Sequence, residues 1–521
     1  MKKYLFALLS IMLFMTLALA GCGNDKNKEG NQSGGSTRDI FIYGIAADPG
    51  SNINVLTTSD RFGLMSLKAM FSPLYMYRGD DNIEYFLAES MTPSEDFLTY
   101  TAKLREDVKW HDGKPFTADD VLFTYEAIIN EPASWLNSQM MFDGKPVELK
   151  KINDYEVEFV LPSVSMSAME VLSKIFIMPK HIYEGEEDIA NSPKNATPIG
   201  TGPYKFKEYK TGESLTFEKN EDYFLGEPNI STIVYRVLQD PSAAKLALKA
   251  GEVDALVVSD YTDIAELEKE KNLQLKSYTE DRVGYLAFNL TSSKVQDKEF
   301  RQALAYAINR EDINIACYLS DEYSSVAPSF LPKAANFYTE DVNQFKFDSG
   351  KEKALLGDKK ETLKLAYTGN DIPQQKQAQV IQQNLKDVGI TVELVGMDGP
   401  ALSQKLKTGH TEFDMYLNGY IMGIDPDLYG TLFMSGGPNN YMNYSNSKLD
   451  ELFVQGRVET DLKKRQEIYE EVQEIIADDA AFIPLVENKR VVAFNSKLAG
   501  IEEAGLVPVY TFDDLSKLYY E

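Results

Sequence analysis

The sequence predicts an α/β protein with more than one domain. Strand-like and helix-like segments alternate along the chain, and one stretch follows a β-α-β-α-β order. About 480 residues follow an apolar leader and a polar tether, too many for one hydrophobic core, so two or three domains are expected.

The chain opens "MKKYLFALLSIMLFMTLALAGCGNDKNKEGNQSGGS". Lys2 and Lys3, an apolar run to Ala20 and small residues ahead of Cys22 read as a secretory signal. The run is about 17 residues, short of the roughly 20 a spanning helix needs. Residues 24–37 hold no large apolar side chain and predict a flexible tether. The folded body is therefore expected from Asp39. No second long apolar run follows.

Acids outnumber bases 80 to 53, for a net charge of −27. Loss of the leader would remove two lysines and no acid. Such a chain repels nucleic acid and anionic headgroups, so polynucleotide partners are not expected. Besides Cys22, at the end of the leader, only Cys317 remains, so the body that follows has no second cysteine for an intramolecular disulfide. Cys317, in "INIACYL", is expected to be a buried, inert thiol.

"FLTYTAKL" (97–104) alternates like a half-buried strand and leads into "HDGKPF", where Asp112-Gly113 supplies turn chemistry. "TADDVLFTYEAI" then starts a helix: Thr117 can cap it, and Asp119 and Asp120 suit its positive end. "VGYLAFNL" (283–290) and "RVVAF" (490–494) are apolar strands of similar pattern. They suit an entry and an exit between two lobes. "TLKLAYTG" begins the β-α-β-α-β unit (362–420). A helix follows with Ala378, Ile381, Leu385 and Val388 on one face, stopped by Gly389. "ITVELVGM", the short helix "PALSQKLKTG" and "EFDMYLNGY" complete it. Parallel strands follow from that order, and ligands bind beyond the carboxyl ends of such strands. "GYIMGIDPDLYG" (419–430) begins at that place. "LKKRQEIYEEVQEIIADD" is an amphipathic helix with Ile468, Val472, Ile475 and Ile476 on one face.

Catalytic signatures are absent: no HExxH, GxSxG, CxxC or GxxxxGK[ST] occurs. "GTGPYK" from Gly200 lacks a third glycine and reads as a turn into a strand. His111, His181 and His410 share no metal-ligand spacing, and the first two are expected to be structural. No metal or cofactor is expected. Thirty tyrosines suit recognition by flat amphipathic rings, although tyrosines also fill cores.

Several motifs together resemble the extracellular solute-binding proteins of the peptide/nickel group, family 5, which feed ABC importers. "LREDVKWHDGKPFTADDVLFTYE" (104–126) is the most specific of them. "PIGTGPYKFKEY", "NEDYFLGEPNISTIVYRV", "AAKLALKAGEVDAL", "AFNLTSSKVQDKEFRQALAYAINRE" and "DLKKRQEIYEEVQEIIADDAAFIPL" follow in order. "LAGC" resembles the lipobox of bacterial lipoproteins. It implies a signal peptide over 1–21, diacylation of Cys22, and a lipidated tether over 22–38 on the outer face of the cytoplasmic membrane.

The resemblance implies a two-lobed periplasmic-binding-protein fold (type II, cluster C), with an extra subdomain inserted in lobe I. Lobe I would be 39–282 plus 489–521, with the insertion at about 61–189, and lobe II would be 283–488. It also implies a monomeric, non-enzymatic receptor that takes oligopeptides by β-augmentation and delivers them to an ABC permease. A sugar, a metal chelate or a signalling peptide are the alternative ligands, and a secreted hydrolase is the alternative class.

By the same resemblance, main-chain contacts fall on Gly419, Tyr420, Ile421 and Gly423 in lobe II, with the Tyr420 ring as a wall, and on Ala46 and Ala47 in lobe I. "NNYMNYSN" (439–446) would border the pocket. Short-peptide members carry an aspartate here that pairs with the ligand's α-ammonium. Its place falls on Met422 or Gly423, neither of which can do so. Two readings of Asp425 and Asp427 stay open: turn-forming structural acids, or Asp425 reaching into the cleft as a replacement clamp.

Overall fold

The computed structural model describes residues 39–79, 82–409 and 412–521. The leader, the tether, Cys22 and His410 lie outside the described residues.

An 11-stranded sheet draws its strands from the length of the chain. Ten of them are β1 (Ile40–Ile45), β2 (Tyr204–Lys210), β3 (Ser214–Lys219), β4 (Thr232–Val237), β5 (Ala255–Val257), β6 (Leu273–Phe288), β7 (Thr362–Thr368), β8 (Thr391–Met397), β9 (Met415–Tyr420) and β10 (Phe482–Asn495). Their order across the sheet is β2-β3-β4-β1-β5-β10-β6-β9-β7-β8, and Ser324–Val326 adds to β10. Phe41, Tyr43 and Ile45 alternate into one core, while Leu363 and Leu365 enter another.

The β-α-β-α-β unit forms as the pattern predicts. β7 runs parallel to β8 from Thr362↔Thr391 and parallel to β9 at Leu365↔Met415. Three helices matter for the site: α1 (Ala168–Ser173), α2 (Ile372–Asp387) and α3 (Leu462–Asp479). Asp371 caps α2 by accepting from Gln374 N–H, and Ala378, Ile381 and Leu385 are its buried face. Gly389, at φ +87°, ends it in a conformation that L side chains rarely adopt.

The two apolar runs at 283–290 and 490–494 fall in longer strands, which lie side by side. β6 and β10 pair antiparallel from Leu273↔Asn495 to Ala287↔Phe482. Their register slips midway: Thr279 faces Lys489 and Val283 faces Glu487. Glu280, Asp281 and Arg282 therefore bulge out opposite Asn488 alone, with Asp281 at φ +50°.

Between β1 and β2 the chain builds a separate four-stranded antiparallel sheet around Thr99–Leu104, packed by the helix Ala118–Asn130. The Asp120 carboxylate takes the Thr117 N–H at 3.0 Å and closes the start of that helix. His111 accepts from Gly200 N–H through Nδ1 and donates from Nε2 to the Gly202 carbonyl. Burial pushes its pKa down to about 4, so it is a neutral structural ring. A Cβ on Gly200 or Gly202 would meet the Met70 backbone within 3 Å, so these glycines serve backbone packing. Cys317 is buried and its thiol is pushed up to about 12 by burial. Among the described residues no helix is long and apolar enough to cross a membrane.

Candidate functional site

β9 is bonded to β6 from Met415 to Tyr420, but to β7 only at Met415 and Tyr416. Beyond Tyr416 its other edge has no ladder partner among the described residues. This exposed edge is a template for an added strand.

Gly419 and Gly284 face each other across β9 and β6, and the Arg282 side chain lies over both. A Cβ on Gly419 would come within 2.2 Å of that guanidinium. The Tyr420 ring does not form a wall of the cleft. It packs with Tyr285 and Tyr429 at 5.4 and 5.3 Å, and its hydroxyl donates to the Phe330 carbonyl at 2.7 Å. Strand alternation turns it to the core face, where the aromatic cluster covers it. Ile421 is half-buried.

Past Ile421 the chain is gripped by α1, which packs into the core of the β1 half of the molecule. The Lys174 ammonium donates to the Met422 carbonyl at 2.6 Å. Glu170 accepts from Ile424 N–H at 3.1 Å and from Asp425 N–H at 2.9 Å, with Lys174 at 3.4 Å. Burial raises the Glu170 pKa, while Lys174 and the two amides favour its charge. Gly423 sits at φ +132°, and a Cβ there would lie 1.7 Å from Glu170 Oε1. Glu170 thus spends its carboxylate on main-chain N–H groups. Sequence reasoning missed it because its main-chain partners lie more than 250 residues away along the chain.

Asp425 is not a ligand clamp. Its two oxygens take Arg465 Nη1 and Nη2 at 2.9 and 2.7 Å, and the pair is buried. It also caps the short 3-10 helix Pro426–Tyr429 by accepting from Asp427 N–H. Burial works against the Arg465 charge, but Asp425 outweighs it and raises the guanidinium's pKa. Asp427 accepts from Ser167 Oγ and Arg457 Nε, both at 3.1 Å. The structural reading of both acids is the one their contacts support. In "NNYMNYSN" the Asn440 amide donates to the carbonyls of Met434 and Tyr444, holding the loop's own shape.

Ala46 and Ala47 are exposed just past the end of β1, whose last ladder bond is Leu238 N–H to the Ile45 carbonyl. Asp48 pins the chain there through Tyr209 and Gly212. No hydrogen bond joins the two alanines to 419–423 among the described residues.

A cavity of about 410 Å³ opens on the bulge of β6, between the β5 end and the start of α2. None of the expected contact residues lines it. Arg61, Glu280, Arg282, Asp371 and Arg490 are its charged lining. Glu280 pairs with Arg61 at 2.7 Å and Arg490 at 3.0 Å; burial opposes its charge, yet the arginines hold its pKa below the usual range. The signal for this place was the charged run "EDR" just ahead of the apolar "VGYLAF" in the same strand. Among the described residues no three His, Cys, Asp or Glu side chains converge to hold a metal.

The family model described as bacterial extracellular solute-binding proteins, family 5, matches residues 82–443. The chain belongs to that family. As a family 5 solute-binding protein it is a non-enzymatic binding component of an ABC transporter, with the family's two-lobed fold. The oligopeptide-binding protein AppA of Bacillus subtilis is 29% identical, over 96% of each chain. The dipeptide-binding protein of Escherichia coli is 28% identical over 92% of this chain and 94% of its own. Among solved structures, the ABC transporter substrate-binding protein CtaP of Listeria monocytogenes superposes with a TM-score of 0.87 at 40% identity, over 93% of this chain and all of that one. The AppA structure with a nonapeptide gives 0.81 at 28% identity, over 93% and 99%.

Proposed function

We propose that this family 5 protein captures oligopeptides between its lobes and delivers them to an ABC permease, held at the outer face of the membrane by a lipid on Cys22. The unpaired edge of β9 beyond Tyr416 carries the reading. A peptide added there gains main-chain hydrogen bonds that ignore its sequence. The naming of AppA as oligopeptide-binding, and its solution with a nonapeptide, support the same cargo. Gly419, Tyr420 and Ile421 supply main-chain contacts from one lobe and the exposed Ala46 and Ala47 from the other. Gly423 borders the cleft with its carbonyl held by the Tyr429 hydroxyl.

On this reading lobe I is 39–282 plus 489–521, with an insertion at about 61–189, and lobe II is 283–488. The bulge of 280–282 against Asn488 supports joints at those positions. The protein acts as a monomer.

The test is equilibrium binding of synthetic peptide pools to the purified protein in mild detergent, followed by mass analysis of what stays bound. Mixed peptides retained in a 1:1 complex are expected. Retention of a sugar or metal chelate with no peptide overturns the cargo. Radiolabelled fatty acid incorporation that survives Cys22→Ala overturns the anchor.

A further inference from the structure

Four charged side chains converge where the hairpin of Tyr75–Tyr77 and Ile83–Tyr85 meets the C-terminal segment. Arg78, just past the first strand, donates from one terminal nitrogen to Glu84 at 3.4 Å and from the other to Asp513. The two terminal nitrogens of a guanidinium share one carbon, so both carboxyl groups are drawn to one place. A side-chain hydrogen bond joins them, and such a bond needs a proton on one of the two. Lys68, on the helix Arg61–Met70, lies 3.2 Å from Asp513, with its ammonium 4.1 Å from the centre of the Phe86 ring.

This set is not fully satisfied. Lys68 Nζ and Asp513 Oδ1 are buried and make no hydrogen bond, although they face each other. Glu84, with 42% of its side chain exposed, is the member that solvent protons reach. Partial burial and then Asp513 raise its pKa to about 7, against Lys68 and Arg78, which lower it. The other titratable neighbours are spent or neutral. Asp514 caps the short 3-10 helix Leu515–Lys517 and stands 3.6 Å from Lys517, while burial keeps the Tyr223 and Tyr510 phenols protonated. Asp80 and Asp81, in the hairpin's turn, lie outside the described residues.

The hairpin touches both sides of the grip that α1 has on the segment after β9. The Tyr75 hydroxyl donates to the Met169 carbonyl of α1 at 2.7 Å, and a Cβ on Gly79 would stand 3.8 Å from Ile424 Cδ1. We propose that Glu84 and Asp513 form a proton-operated latch, which fastens the hairpin to the C-terminal segment and thereby steadies α1 against 422–425. The shared proton is what holds the two carboxyl groups together; without it they are neighbouring carboxylates under one guanidinium. Fastening is therefore full below about pH 4.5, weakens as pH rises towards 7, and levels off above it.

The experiment is amide hydrogen exchange on the full-length protein in mild detergent, with no ligand added, from about pH 5 to about pH 8. Protection factors are corrected for the intrinsic exchange rate at each pH. Protection is expected to fall about 10-fold over that range at 75–79 and 82–85, and in the same direction at Ile424 and Asp425. Glu84→Gln keeps a donor for Asp513 at every pH, so its protection should stay at the acid level throughout. Glu84→Ala has no donor and should stay at the alkaline level. A merely structural role for Glu84 would lower protection in both variants and leave the slope in place.

Protection in the wild type that does not change with pH at the hairpin overturns the latch. A slope that persists in Glu84→Gln overturns the assignment to Glu84. A slope at the hairpin with none at Ile424 and Asp425 overturns the link to α1. The wild-type profile decides the first and third of these whether or not a variant folds.

Discussion

Gly423 is confined twice, by its φ of +132° and by the Glu170 carboxylate that fills the space of a side chain. Gly423→Asp should destabilise the protein by about 2–4 kcal/mol, from strain and overpacking together. Removing the neighbour in Glu170→Ala/Gly423→Asp should recover part of the loss in thermal unfolding; simple additivity of the two changes would show that the sites do not touch. Asp425→Ala leaves Arg465 charged and buried, a loss of about 3–5 kcal/mol. With Asp425 occupied by Arg465, N-acetylation of a bound peptide should cost well under about 2 kcal/mol, the scale of one lost charge-assisted bond. A larger penalty in competition binding would place an amine clamp elsewhere in the cleft.

At the scale of elements, the β7-to-β9 unit was legible because alternation, caps and stop glycines agree there. The face of α3 was less so. Its buried residues are Arg465, Tyr469, Val472, Gln473 and Ile476, rotated from the expected Ile468 and Ile475, which are only partly buried. Hydrophobicity alone could not find that face. Arg465 is buried for Asp425, and Gln473 for the Phe337 carbonyl and the Ser329 hydroxyl. The bulge of β6 was equally hidden, because three residues against one is a property of the pairing with β10. The turn around His111 makes a prediction of its own. Its folded pKa of about 4 lies below the ordinary value near 6.5, so the unfolded chain binds the extra proton first. Its contribution is fully present above about pH 6.5 and is lost as pH falls towards 4, by up to about 3 kcal/mol. Thermal melts across that window should show a shallower slope for His111→Gln than for the wild type; equal slopes would mean the ring titrates normally.

For the whole molecule, α1 meets the segment 422–427 along a seam of hydrogen bonds, beside which Leu428 packs on the core that holds α1. Met166 N–H donates to the Arg457 carbonyl, Ser167 to Asp427, Lys174 to Met422, and the amides of Ile424 and Asp425 to Glu170. Glu170→Ala/Lys174→Ala should speed hydrogen exchange at Ile424 and Asp425 and enlarge the radius of gyration seen by small-angle scattering. Unchanged exchange at those two amides would show that the seam does not hold the lobes. The family and the two-lobed architecture could be read from motifs spread over the sequence. The seam could not, since each contact joins residues far apart in the chain.

That seam also sets how parting the lobes should respond to temperature. Opening it wets amides, carbonyls and charges, each of which exchanges one hydrogen bond for another with water, and bares the Leu428 side chain that packs on the α1 core. Apolar exposure raises heat capacity and polar exposure lowers it. Separation at α1 therefore carries a heat-capacity increment in which the wetted polar groups offset part of what Leu428 adds, which softens the change in balance between a cold and a warm environment.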